Sequence, residues 1–283
     1  MVLSSFKLSF ADDLKFFRII ETPNDCTALQ EDINSLLMWC NDNGMFVNGQ
    51  KCKVLSFSRS KNPMHHQYTL EAQPLQRVTS IRDLGVTIDA KLTFNEHVGI
   101  TTAKAFSVLG FIHRHASDFT DIFALKSLYC SLVRSILEYA APIWIPYYTT
   151  HILSIERVQK KFVRFALRRL PWNDPINLPA YSERCKLIGL EPLSTRRTKL
   201  QRLFIFDVIQ GTIDCPALLQ QISFNVPPRS LRFSSLLSVP YHRSNYGYNN
   251  PLDSCIRAFN DVSNVYDFNI TKAVFKNRIS QVV

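Results

Sequence analysis

The stretch that most constrains this chain is Leu8-Ser9-Phe10-Ala11-Asp12-Asp13-Leu14-Lys15-Phe16. An alternating run (Val2, Leu3, Phe6, Leu8, Phe10) and a second apolar run (Leu14, Phe16, Phe17, Ile19, Ile20) flank two adjacent carboxylates. Apolar run, short polar break and apolar run predict a β-hairpin with Asp12 and Asp13 at its tip. Adjacent like charges repel, and tight hairpin turns prefer Gly or Asn, so the pair is a poor choice for stability. It is a good choice for holding a hard divalent cation through oxygen. A solvated turn or a helix N-terminus is the competing explanation for an isolated Asp-Asp.

The chain has 283 residues, 46% hydrophobic and 20% charged, the balance of an ordinary globular protein with room for one large or two small domains. Neither GxGxxG nor GxxxxGK[ST] occurs, so a glycine-rich phosphate loop is excluded. The seven cysteines are scattered without metal-ligand spacing and read as reduced, mostly buried thiols. No signal peptide and no membrane-spanning run is evident, and an intracellular protein, nuclear or cytoplasmic, with no membrane partner is expected.

The net charge of +10 is unevenly spread. Residues 1–60 carry six Lys/Arg against seven Asp/Glu, whereas residues 131–200 carry twelve against five. A metal-binding segment followed by basic surface suits an enzyme acting on a polyanion.

Thr22-Pro23-Asn24-Asp25 starts a helix that Leu29, Ile33, Leu36, Leu37 and Cys40 continue to Asn43-Gly44. Short strands are expected at Met45–Val47, Val54–Phe57, Tyr68–Leu70 and Val86–Ile88, making a small sheet complete by about residue 90. From about Phe94 the period becomes helical, with helices over about 94–116, 119–140, 150–169, 179–189 and 192–211. The Pro-, Ser- and Asn-rich tail from Pro227 is expected to be loosely folded. The fold class is α+β: a hairpin and sheet with a helix, then an all-helical region and a helical, loosely ordered C-terminal region.

On the helix predicted over 150–169, Ile155, Val158, Phe162, Phe165 and Ala166 share one side. Arg157, Lys160, Lys161, Arg164 and Arg168 share the other, with Glu156 at its flank. Such a stripe can track phosphates, while a solvated helix face is the plainer alternative.

Several segments, in order, resemble one family. Phe10-Ala11-Asp12-Asp13-Leu14 resembles the third palm motif of reverse transcriptases. Trp39-Cys40, Asn43-Gly44 and Asn48-Gly49-Gln50-Lys51-Cys52-Lys53-Val54 resemble the fourth. Arg82-Asp83-Leu84-Gly85-Val86, with Asp89, Leu92, Phe94 and His97, resembles the primer grip and its exit. Leu128-Tyr129, Leu132-Val133-Arg134, Leu137-Glu138-Tyr139-Ala140 and Val158-Gln159-Lys160 resemble the thumb of non-LTR, jockey-like retrotransposon polymerases.

The resemblance implies a partial palm over 1–92, a thumb over 93–170 and a trailing region over 171–283. It further implies RNA-directed DNA polymerase activity with RNA template, DNA primer, dNTP and Mg²⁺. Asp12 would be the metal ligand supported by Asp13, Lys51 would assist the departing pyrophosphate, and Leu84 and Gly85 would form the primer grip. Two-metal transfer needs a third carboxylate. Only eleven residues precede Asp12 and none is acidic. The chain is therefore expected to be the C-terminal part of a polymerase that does not polymerise alone. The alternatives are a nucleic-acid-binding module without catalysis, or the product of a decayed or mis-started element.

Overall fold

The computed structural model describes residues 4–168, 179–226 and 235–281. The chain folds as two compact units, Met1–Phe94 and Asn95–Val283.

The first unit opens with the expected hairpin. Strands β1 (Phe6–Phe10) and β2 (Asp13–Phe17) pair antiparallel from Phe6↔Phe17 to Phe10↔Asp13, leaving Ala11 and Asp12 as the loop. Residues paired across strands share a face, so Phe6, Leu8 and Phe10 lie with Phe17, Lys15 and Asp13. The Phe6 and Phe17 rings stack at 5.3 Å. Phe6, Leu8 and Phe10 are all exposed, so the strand leaves apolar surface uncovered; the Val2 and Leu3 end of that alternation lies outside the described residues.

Helix α1 (Pro23–Asp42) begins with proline, whose missing N–H costs nothing in a first turn, and the Asp25 carboxylate accepts the Thr22 N–H at 2.8 Å. It stops before Gly44, whose φ of +66° suits a residue without Cβ. Polar side chains of α1 hold extended backbone in place. Asp32 accepts N–H bonds from Ser4 (3.0 Å) and Ser5 (2.7 Å) at the foot of β1. The strands that follow are β3 (Lys53–Leu55), β4 (Thr69–Leu70), β5 (Gln73–Pro74), β6 (Gln76–Val78), β7 (Ser80–Asp83) and β8 (Val86–Asp89). Gln30 of α1 both donates to Thr69 O and accepts from Thr69 N, each at 2.9 Å, completing the β4 edge.

Two expectations about this region need correcting. Among the described residues the strands form four separate two-stranded sheets, β1–β2, β3–β6, β4–β5 and β7–β8, of which β3–β6 is parallel. Each described strand pairs on one edge only, so the pairs do not merge into a continuous sheet. Met45–Val47 forms no strand and Phe46 is 98% exposed, because the chain leaves α1 through a turn at 43–44 with no partner strand alongside among the described residues.

The second unit is helical. It contains α2 (Asn95–His115), α3 (Ile122–Leu128), a π-helical turn (Tyr129–Arg134) and α4 (Ser135–Glu138). Then come α5 (Thr149–Leu167), α6 (Tyr181–Leu187), α7 (Leu193–Ile209) and α8 (Pro216–Leu219). The last helices are α9 (Asn245–Tyr248), α10 (Pro251–Asn260) and α11 (Lys272–Gln281). The expected helix over 119–140 is one helical run with a π turn inside it. Residue 169, the expected end of the third helix, lies outside the described residues.

Leu109, Ile112, Leu125, Tyr129, Val133, Leu137, Ile155, Val158 and Phe162 bury a core in which Tyr129 and Phe162 stack at 4.2 Å. A second cluster joins Ile205, Phe206 and Val208 of α7 with Cys255, Ile256 and Phe259 of α10 and Phe275 and Ile279 of α11. The C-terminal region is therefore packed rather than loose. Its apolar residues are too few and too far apart for a long periodic signal, yet each meets a neighbour already supplied by α7. Residues 227–234, where the loose tail was expected to begin, lie outside the described residues.

Candidate functional site

The Asp pair occupies the position its sequence predicts. Asp12 is the second residue of a two-residue loop and Asp13 the first of β2, both exposed. The first loop residue, Ala11, has φ +51°, a conformation that disfavours a side chain bearing Cβ. Successive strand residues face opposite ways, so Asp13 shares the Phe10 face while Asp12 sits in the turn itself. Among the described residues, no group of three His, Cys, Asp or Glu side chains is placed to hold a metal ion.

Lys51 is exposed at the end of a turn in which the Asn48 carbonyl accepts its N–H at 3.1 Å. Among the described residues no ion pair links it to Asp12 or Asp13.

Leu84 and Gly85 form the two-residue loop between β7 and β8, with φ of +44° and +86°. Positive φ at both positions is the pattern of a type I′ hairpin, for which Asn-Gly would be the relaxed choice; leucine at the first position is strained. This loop stands beside the first hairpin, because Lys15 Nζ of β2 pairs with Asp83 Oδ1 of β7 at 2.5 Å.

Asp89 does not belong to a metal site. Its carboxylate accepts the N–H groups of Lys91 (3.0 Å), Thr93 (2.9 Å) and Phe94 (2.7 Å), along with the Thr93 hydroxyl (3.1 Å). Burial alone would raise its pKa, but these donors outweigh it and hold the pKa below the ordinary value. Leu92 and Phe94 have positive φ, and Asp89 is what fastens that strained turn.

The basic stripe is narrower than its sequence suggests. Arg157, Lys161 and Arg164 are exposed along α5, and Arg168 is exposed just past its end. Lys160 is only half-exposed, its ammonium 5.1 Å from the centre of the Tyr181 ring. Lys161 lies 5.7 Å from the Phe106 ring of α2. Glu156, at the flank of the stripe, is buried, which takes its negative charge out of this face.

Sequence reasoning missed the polar interior behind the stripe. Glu156 accepts the Tyr181 hydroxyl (2.5 Å) and the N–H groups of Leu193 (2.9 Å) and Ser194 (3.3 Å), so it caps the start of α7. Gln159 accepts the Tyr129 hydroxyl at 2.9 Å and donates to the Tyr181 hydroxyl at 2.9 Å and Glu191 O at 2.8 Å. Burial, then the Glu156 carboxylate, pushes the Tyr181 phenol far above its ordinary pKa, so it remains a donor. The only sequence signal was that Gln159 falls on the apolar side of the helical wheel; Glu156, at the flank of the basic stripe, gave none.

One curated protein is similar over about half the chain. The "Probable RNA-directed DNA polymerase from transposon BS" of Drosophila melanogaster is 28% identical over 141 residues, 48% of this chain and 16% of the relative. The similarity supports the reverse transcriptase family. No family model matches the chain, and no solved structure matches it. The reverse transcriptase relationship thus rests on that sequence similarity, and the match spans well under two thirds of the relative. Among the described residues no helix is long and apolar enough to cross a membrane.

Proposed function

We propose that this chain is the part of a non-LTR, jockey-like retrotransposon reverse transcriptase that carries the Asp-Asp hairpin and the thumb. Residues 1–92 would form the palm portion, 93–170 the thumb and 171–283 the trailing region. Its partners would be RNA template and DNA primer, with dNTP as the substrate of the whole polymerase. The observation that carries the reading is the tight hairpin presenting Asp12 and Asp13 on a strained loop, in a chain similar to an RNA-directed DNA polymerase.

Exposed carboxylate oxygens are the right donors for Mg²⁺, and Asp12, supported by Asp13, would hold one ion. A bound Mg²⁺ would supply charge stabilisation for phosphoryl transfer at that tip. Lys51 would offset charge on the departing pyrophosphate, and the Leu84–Gly85 backbone would bear on the primer. The exposed cations Arg157, Lys161, Arg164 and Arg168 would follow a phosphate backbone, with Lys160 at the edge of that surface.

A second reading, nucleic-acid binding without catalysis, is favoured by the missing third ligand: the described residues bring no further carboxylate, His or Cys to the Asp pair. Mn²⁺ titration followed by water-proton relaxation, with primer extension run in parallel, tests both. A single site weaker than about 10⁻⁴ M is expected, abolished by Asp12→Asn, with no extension by the chain alone. Binding unchanged in both Asp12→Asn and Asp13→Asn would overturn the metal assignment. Extension that is lost on Asp12→Asn would show the chain catalytically complete.

A further inference from the structure

We propose that Asp83 is a positioning residue for the Asp12–Asp13 site: by holding the Lys15 ammonium it keeps that cation off Asp13 and leaves the carboxylate pair open to a divalent ion. The inference rests on the metal reading of the hairpin tip and adds to it the residue pair that sets the site's affinity.

The strands of the first hairpin carry two lysines, and register separates them. Lys7 pairs across with Phe16, whereas Lys15 pairs with Leu8 and so shares the face of Phe10 and Asp13. Lys15 follows Asp13 by two residues, about 7 Å along an antiparallel strand, within the sweep of a lysine's flexible four-carbon stem. An ammonium there is the natural competitor of a metal ion, because both answer the same carboxylate charge.

That ammonium is engaged elsewhere. Lys15 Nζ lies 2.5 Å from Asp83 Oδ1, at the end of β7, and among the described residues neither Asp12 nor Asp13 forms an ion pair. Asp89, the other carboxylate of the β7–β8 hairpin, is taken up by the N–H groups of Lys91, Thr93 and Phe94 and offers Lys15 no substitute. Without the Asp83 carboxylate, the anion left on the strand face of Lys15 is Asp13, and a metal ion would have to displace the lysine to bind. The Lys15 and Asp83 side chains are 35% and 27% exposed, so water screens the pair and the effect on affinity is modest. Asp83 also directly precedes the strained Leu84–Gly85 loop, so the seat of that loop bears on the charge beside the metal site.

The experiment is a double-mutant cycle on the whole 283-residue chain, read by Mn²⁺ titration with water-proton relaxation. Lys15→Gln in the wild-type background should change the Mn²⁺ affinity little, because the ammonium is already held away. In the Asp83→Asn background the same substitution should raise it by about two- to five-fold, the strength of an exposed ion pair. Loss of one negative charge at a distance weakens cation binding alike in both backgrounds, so the difference between them isolates the contact. Asp83→Glu keeps the carboxylate and should keep the wild-type affinity, and Asp83→Ala breaks the pair if Asp83→Asn does not fold. A merely structural pair would shift thermal midpoints and leave the Mn²⁺ cycle additive. An additive cycle at a site that Asp12→Asn still abolishes would overturn the role of Asp83 and leave the metal reading standing. Mn²⁺ binding unchanged in both Asp12→Asn and Asp13→Asn would overturn the two together.

Discussion

Asp32 and Asp12 are both carboxylates in the first unit, in opposite surroundings. Asp12 is exposed on a turn, whereas Asp32 is 5% exposed and accepts three bonds from Ser4 and Ser5 at the foot of the hairpin. Burial would raise the Asp32 pKa, but those serine donors outweigh it and hold it below the ordinary carboxylate value. A depressed folded-state pKa means that the unfolded chain takes up its proton first on acidification. The stabilisation is therefore complete above the unfolded value and is lost as pH falls through the folded one. Asp89, with its pKa lowered in the same way, works in the same window. Asp32→Ala should cost about 1–3 kcal/mol at neutral pH by stranding two backbone N–H groups, and should flatten the acid limb of the stability curve. Thermal midpoints of both proteins from pH 7 down to pH 3 check this; parallel curves would show that Asp32 does not carry the acid sensitivity.

At the scale of single elements, what a sequence reveals depends on whether the signal is local. The first hairpin was legible because alternation on both sides of a polar break has few other solutions. Helices α1, α2, α5 and α7 were legible because each holds its apolar period over 17 to 21 residues. The π turn was not, since nothing in Tyr129–Arg134 breaks the helical pattern; it is tertiary packing that seats Tyr129 against Phe162 and Gln159. The stripe on α5 was legible in outline but not in membership, because a wheel cannot show that Tyr181 arrives from another helix to take up Lys160. That distinction is measurable. Replacing Arg157, Lys161 and Arg164 together with Gln should lower the slope of log K against log salt by about two to three units. Lys160→Gln should leave the slope nearly unchanged and lower the thermal midpoint slightly through the lost cation–ring contact. Binding titrations from 50 to 200 mM salt distinguish them. If the triple variant kept the wild-type slope, α5 would be an ordinary solvated face.

Across the whole molecule, apolar surface is distributed unevenly. The hairpin displays Phe6, Leu8, Phe10 and Phe17, while the helical unit closes its last core with residues whose local sequence gives little sign of structure. Phe275 of α11 stacks on Phe206 of α7 at 4.7 Å and meets Phe259 of α10 at 5.8 Å, and all three are almost completely buried. Lys272, at the start of α11, pairs with Asp207 of α7 at 2.7 Å, and Arg202 Nε of α7 donates to Ala258 O of α10 at 3.1 Å. These contacts make the C-terminal helices part of the support for α7, whose first turn is capped by Glu156 of the basic helix. Truncating Phe275 would remove a buried ring and leave a cavity between three elements, a loss of about 3–5 kcal/mol. Its neighbour Val274 is 43% exposed and should change stability by less than about 0.5 kcal/mol when replaced by Ala. Hydrogen exchange along Leu193–Ile209 reads the difference, because those amides are protected only while α10 and α11 remain docked. Phe275→Ala should speed their exchange by two orders of magnitude or more, with Val274→Ala close to wild type. Equal protection in the two variants would mean that α7 is held by its other neighbours and that the C-terminal helices add little to it.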